Sequence, residues 1–244
     1  MKKYLSVFGF MARSSVYKIL GLFVLMLGAE SLFFILRFPK DDISKYYFAN
    51  FEECVVSGFI PLIFAVAFTL VTVLICFTGM EYRSKSGYTL RRLAIKESSV
   101  FWIQAIYNGI VYLLFWAVQI AIVYLLSFYY LSTAPEKFVS NQSVFLSFYR
   151  NSFMHSLLPL EDILLWIRNF LLIIALSVSA AELTYKQRRK KYGVMLILNA
   201  VVSVAFFKCE AGDLGCLIMG IIAVGISVLS SIFTLKNTED SYDN

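Results

Sequence analysis

The sequence predicts an all-α polytopic membrane protein, a bundle of about six transmembrane helices preceded by an amphipathic amino-terminal interfacial helix. Three observations predict it. Of 244 residues, 59% are hydrophobic, against about 45–50% in soluble domains. The apolar residues fall into runs about as long as a bilayer is thick. The charged residues, 16% of the chain, gather between those runs. Mean hydropathy is +0.74. One soluble core of this size cannot hide that much apolar surface, whereas lipid solvates it. Six spans also leave no room for a further soluble domain, so residues 1–244 are read as a single transmembrane domain.

The elements follow in order. In residues 2–18, Tyr4, Val7, Phe8 and Met11 recur at helical spacing, while Lys2, Lys3 and Arg13 are placed to reach headgroups. This predicts a helix lying on the inner membrane surface before the chain turns into the bilayer. Met1-Lys2-Lys3 is basic, but no small-residue cleavage site follows the first apolar run, so the first span is expected to stay in the mature protein. Spans are expected at about 16–36, 55–79, 99–127, 163–183, 193–207 and 215–235, because each backbone group in hydrocarbon must be paired within its own segment. The fifth is the shortest. Residues 132–162 form the longest outer segment, opening on Ser132-Thr133-Ala134-Pro135. Its Phe138, Val144, Phe145, Phe148 and Tyr149 predict that it lies on the outer surface or caps the bundle. Tyr46-Tyr47-Phe48 and Phe128-Tyr129-Tyr130 are expected to be outer-interface anchors.

Orientation follows from the bases. Fifteen lie in the amino-terminal segment, the loops 2–3 and 4–5 and the carboxy-terminal end, and six in the other loops. The positive-inside rule puts both termini in the cytoplasm, in a multi-pass protein of the plasma membrane. The net charge of +6 is thereby assigned to topology and anionic headgroups of the lipid bilayer, and nucleic acid is not expected as a partner.

The most informative stretch runs from Gly79 to Glu97, leaving the second span and entering the third. Ser84 to Gly87 reads as a polar turn. Thr89 to Glu97 reads as a short amphipathic helix, with Leu90, Leu93 and Ala94 on one side and Arg91, Arg92 and Lys96 elsewhere. Such a helix between two spans suits docking in a groove of a soluble partner. The Glu after the second span, the basic-Ser/Gly turn, Thr89-Leu90-Arg91-Arg92-Leu93, and the opening Phe101-Trp102-Ile103-Gln104-Ala105-Ile106-Tyr107-Asn108 of the third span resemble the type-2 ABC exporter permease family. The resemblance covers about 30 residues directly and the rest by topology. It implies that Glu81, Arg83, Gly87, Arg92 and Leu93, with Leu90 and Arg91 between them, form the coupling element pressed on an ATPase. The connection from Lys208 to Leu214 is too short for the re-entrant helices that some family members place there.

No catalytic set accompanies these features. No Gly-rich loop ending Gly-Lys-Ser/Thr is present, so the chain is not expected to hydrolyse ATP. One histidine, His155, excludes a His-Glu-x-x-His zinc site, no Gly-x-Ser-x-Gly accompanies it, and a surface role is expected. The four cysteines have no metal-ligand spacing. A disulfide between two of Cys54, Cys209 and Cys216 stands beside the reading of buried free thiols. No catalytic, cofactor or metal residue is therefore assigned.

Polar residues within spans each require a partner. Glu30 lies in the first span, with Arg37 two turns later on a similar face. Gln104, Asn108 and Gln119 form a loose polar stripe on the third, and Asn199 lies in the fifth. For Glu30, Gln104, Asn108 and Gln119 a substrate path or subunit interface stands against plain interhelical hydrogen bonding. Arg168 and Glu182, near span ends, are expected to snorkel. The expected function is the permease subunit of an ATP-driven exporter. It would pair with a second copy or a paralogue and with a separate ABC ATP-binding subunit that carries ATP and Mg. Peptides, antibiotics, lipids and cell-envelope polymers are the substrate classes considered. The alternatives are a substrate-capture subunit of an importer and a membrane scaffold or signalling protein.

Overall fold

A computed structural model describes residues 2–38, 49–80, 96–135, 140–189, 191, 193–207 and 213–239. Every regular element among the described residues is a helix: α1 Lys2–Arg37, α2 Phe51–Ser57, α3 Ile60–Met80, α4 Glu97–Thr133, α5 Asn141–Arg150, α6 Ser152–Leu157, α7 Ile163–Arg188, α8 Met195–Phe207 and α9 Asp213–Glu239. Five of them, α1, α3, α4, α7 and α9, are long and apolar enough to cross a membrane. The protein is thus an all-α polytopic membrane protein. α8 is apolar but has 13 residues, short of the roughly 20 that span a hydrocarbon core. Large apolar side chains such as Val24, Leu125, Leu229 and Phe233 stay exposed along the long helices, as lipid-facing surface requires.

Three elements differ from their expected form. The helix over residues 2–18 is present, but it continues into the first span as one 36-residue helix. No proline interrupts it before Pro39, which follows its end. Its apolar stripe packs largely against protein rather than on the membrane surface: Val7 and Met11 are covered, Phe8 meets the Tyr107 ring edge-on at 5.6 Å, and Ser15 and Tyr107 share a short hydroxyl hydrogen bond.

The second apolar run is broken. α2 ends at Gly58, and Phe59 takes φ 55° before α3 begins. A left-handed residue after a helix satisfies its last carbonyls and is usually glycine. Here the glycine is needed one position earlier: a Cβ on Gly58 would meet the Cys54 carbonyl oxygen at 3.0 Å and the Phe34 Cα at 3.4 Å. Phe59 accepts the unfavourable conformation instead. Pro61 then sits in the first turn of α3, where no amide donor is missed.

α4 runs six residues past its expected outer end. Tyr130 is buried and donates its hydroxyl to the Ala49 carbonyl at 2.8 Å. Phe51 packs on its ring at 5.4 Å. Of the expected outer anchors, Tyr130 is therefore a core residue, and Phe128 remains exposed. Tyr46, Tyr47 and Phe48 lie outside the described residues.

The chain divides into two compact units. The first comprises residues 1–19, 70–114 and 163–244. Its core joins Phe101, Ala105, Val178, Ala181 and Tyr185, with Leu235 packed against them. α7 packs along α9, and a Cβ on Gly220 would lie 3.3 Å from Leu171.

The second unit comprises residues 20–69 and 115–162. One aromatic group joins Phe34, Phe38, Phe51, Tyr129 and Tyr130. Another centres on Phe64, stacked on Phe115 at 5.1 Å and edge-on to Phe153 at 5.5 Å. The segment expected on the outer side contains α5 and α6. Ser140 caps α5 and Asn151 caps α6 by accepting the amides of Phe153 and Met154. Met154 and Leu157 are fully buried, and the Trp116 indole donates to the Leu157 carbonyl at 2.9 Å.

Candidate functional site

The seven coupling residues expected between the second and third spans, Glu81, Arg83, Gly87, Leu90, Arg91, Arg92 and Leu93, lie outside the described residues. The helices on either side of them are described: α3 ends at Met80 and α4 begins at Glu97. The start of α4 is fastened to the end of α7. Glu97 forms an ion pair with Arg189, whose guanidinium lies 4.7 Å from the Tyr185 ring centroid. One turn further along α4 from Val100, buried Gln104 accepts from Arg188 Nη2 at 3.0 Å.

The expected stripe on the third span does not act as one group. Gln104 is tied to Arg188, and Asn108 donates to the Ser177 carbonyl at 3.4 Å. Gln119 instead joins Glu30: its Nε2 donates to Glu30 Oε2 at 3.0 Å. Both residues have no accessible surface. The second oxygen of each, Glu30 Oε1 and Gln119 Oε1, is sealed from solvent with no hydrogen-bond partner. Arg37, expected on a similar face to Glu30, lies 5.6 Å from the centroid of the Phe59 ring instead. A guanidinium over an aromatic face gains about 0.5–1 kcal/mol at exposed sites.

Two residues expected to snorkel are buried. Arg168 is 2% exposed and donates through Nε and Nη2 to Asn169 Oδ1. Glu182 is 1% exposed and anchors a polar seam between α7 and α9. Its Oε1 accepts from Ser230 at 2.7 Å and pairs with Lys186 Nζ at 2.5 Å. Ser231 and Thr234 stand 3.4 and 3.3 Å from the same carboxylate. Each of these two hydroxyls has one proton and makes a shorter contact, 2.8 Å, to a carbonyl one turn back in α9. Ser230 and Lys186 are thus the principal donors to Glu182. Distance from the end of an apolar run suggested snorkelling. The signal that was available instead is the run Ser227, Ser230, Ser231, Thr234, which recurs at helical spacing in an otherwise apolar helix.

Asn199 donates to Ser227 at 2.7 Å, the interhelical hydrogen bond expected of it. His155 is half-buried rather than fully exposed, with Nε2 3.1 Å from Asp162 Oδ2. Cys54 is a buried free thiol, and burial, with Glu53 beside it, pushes it up to about 11. It is therefore unreactive at neutral pH. Cys209 and the Cys216 side chain lie outside the described residues. No group of metal-ligating residues occurs among the described residues. What the described residues assemble is a set of buried polar contacts between helices, and in the Glu30–Gln119 contact both partners keep an oxygen without a hydrogen bond. No protein-family model matches the chain, and neither a curated protein nor a solved structure matches it.

Proposed function

We propose that the chain is the transmembrane permease subunit of an ATP-driven exporter. In this reading a separate ABC ATP-binding subunit hydrolyses ATP, and a second permease copy or a paralogue completes the path. The protein lies in the plasma membrane with both termini in the cytoplasm. One observation carries the reading: the sequence pattern of Glu81 to Lys96, basic and spaced as a polar turn and a short amphipathic helix would be, between two long apolar helices. Five bases and no acid follow Glu81 in that segment, which favours the cytoplasmic side.

What the neighbouring helices do adds support. A push on residues 81–96 enters α4 at Glu97, and the ion pair with Arg189 and the Gln104–Arg188 bond hand it to α7. Movement of a soluble partner is then shared by two spans rather than absorbed by one loop. ATP and its Mg belong to the partner, and this chain contributes the lever. The test is affinity purification of the full chain from its native membrane. An ATPase recovered in stoichiometric amount supports the reading, and its loss with Arg92→Glu, with membrane insertion unchanged, assigns the contact to this helix. A chain that purifies with no nucleotide-hydrolysing companion refutes it.

A further inference from the structure

We infer that Glu30 and Gln119 form a proton-binding site within the second unit, in which Glu30 carries an exchangeable proton whose release is linked to the parting of α1 from α4. The inference does not depend on the exporter reading.

The four terminal atoms of the pair carry the argument. Gln119 Nε2 already donates to Glu30 Oε2. That leaves Glu30 Oε1 and Gln119 Oε1, both acceptors as an ionised acid and an amide, and both sealed without a partner. A single proton on Glu30 Oε1 completes both at once. The acid donates to the amide oxygen, the amide donates to the acid carbonyl, and the two planar groups close a ring of two hydrogen bonds. No other occupant meets the same needs. A hard cation takes six or more oxygens, whereas this pair offers two. Any occupant larger than a proton must displace atoms that have no accessible surface.

Nothing nearby compensates a negative charge. Among the described residues Glu30 forms no ion pair, and its hydrogen bond is the one from Gln119. Among the described residues of this unit, α3 from Ile60 to Thr69 and α4 from Phe115 to Thr133 carry no charged residue. The remaining charges are Arg37, Glu52, Glu53, Arg150, His155, Glu161 and Asp162. Arg37 lies over Phe59, and His155 pairs with Asp162. An isolated ionised carboxylate in this setting costs more than one amide donor returns, so it takes up a proton instead. When the two helices separate, the acid meets water and ionises, and the proton leaves.

The experiment is infrared spectroscopy of the full chain in lipid nanodiscs, titrated from about pH 5 to about pH 10, on either side of the ordinary carboxylate and lysine ranges. The expected result is a protonated-carboxyl carbonyl band at neutral pH, absent from Glu30→Gln and lost on the alkaline side. The amide of Glu30→Gln both donates and accepts, so it rebuilds the ring without a proton to release. Gln119→Leu keeps the acid but removes its partner, and should move the band to the higher frequency of an unbonded carbonyl. No such band at neutral pH overturns the proposal. So does a band that never titrates, which marks a permanently neutral acid. A band unmoved by Gln119→Leu places the acid elsewhere and also overturns it.

Discussion

Glu30 and Glu182 are the same residue at nearly the same depth of burial, 0% and 1% exposed, yet their surroundings differ in kind. Glu182, in the first unit, receives the Lys186 ammonium and the Ser230 hydroxyl, with two further hydroxyls beside them. Glu30, in the second, receives one amide hydrogen. A cation and a hydroxyl give a buried carboxylate strong, charge-assisted partners, whereas a single amide leaves most of its hydrogen-bonding capacity unmet. Burial alone therefore does not say what an acid in a membrane does. Its donors do.

The largest expected effect tests the charged side of this contrast. Glu182→Ala removes the acceptor from several donors at once and should lower stability by about 3 kcal/mol, the scale for breaking a buried pair. Thermal unfolding of the purified chain measures it, and a loss no greater than that of Glu30→Gln ends the contrast. Lys186→Met should cost about 1 kcal/mol, because Lys186 is partly exposed and solvent screens its charge. Asn199→Leu breaks the single amide bond to Ser227 and should also cost about 1 kcal/mol, the usual worth of an interhelical hydrogen bond in membranes. Glu30→Gln should be the mildest, within about 0.5 kcal/mol, since an amide replaces a neutral acid of the same shape. A steeper loss there would show that the native state needs the negative charge.

The spans were legible because about twenty apolar residues in a row have few other uses. Their interruptions were less so. The break at Gly58–Phe59 lies in a run that is apolar on both sides, and the close approach of the Cys54 carbonyl and the Phe34 backbone to Gly58 is a contact that no local pattern announces. The extra turns of α4 depend on Tyr130 finding Phe51 and the Ala49 carbonyl, contacts made by distant parts of the chain. The polar stripe shows the same limit: helical phase put Gln104 and Gln119 on related faces, but neighbours chose Arg188 for one and Glu30 for the other. Arg168 and Glu182 were misjudged because closeness to the end of an apolar run measures distance to water along the chain, and buried partners outweigh it, the adjacent Asn169 for Arg168 and hydroxyls of α9 for Glu182. The residues with the most distinctive sequence, Glu81 to Leu93, rest on their pattern alone.

The hydroxyls of α9 have one more consequence. Ser227, Ser231 and Thr234 each have a carbonyl of their own helix within hydrogen-bonding distance, so none is stranded if α9 shifts along its neighbour by a turn. A seam lined with such self-sufficient groups leaves them satisfied in more than one register, so the position of α9 along α7 is fixed by the Glu182 contact and by the packing of Gly220 on Leu171.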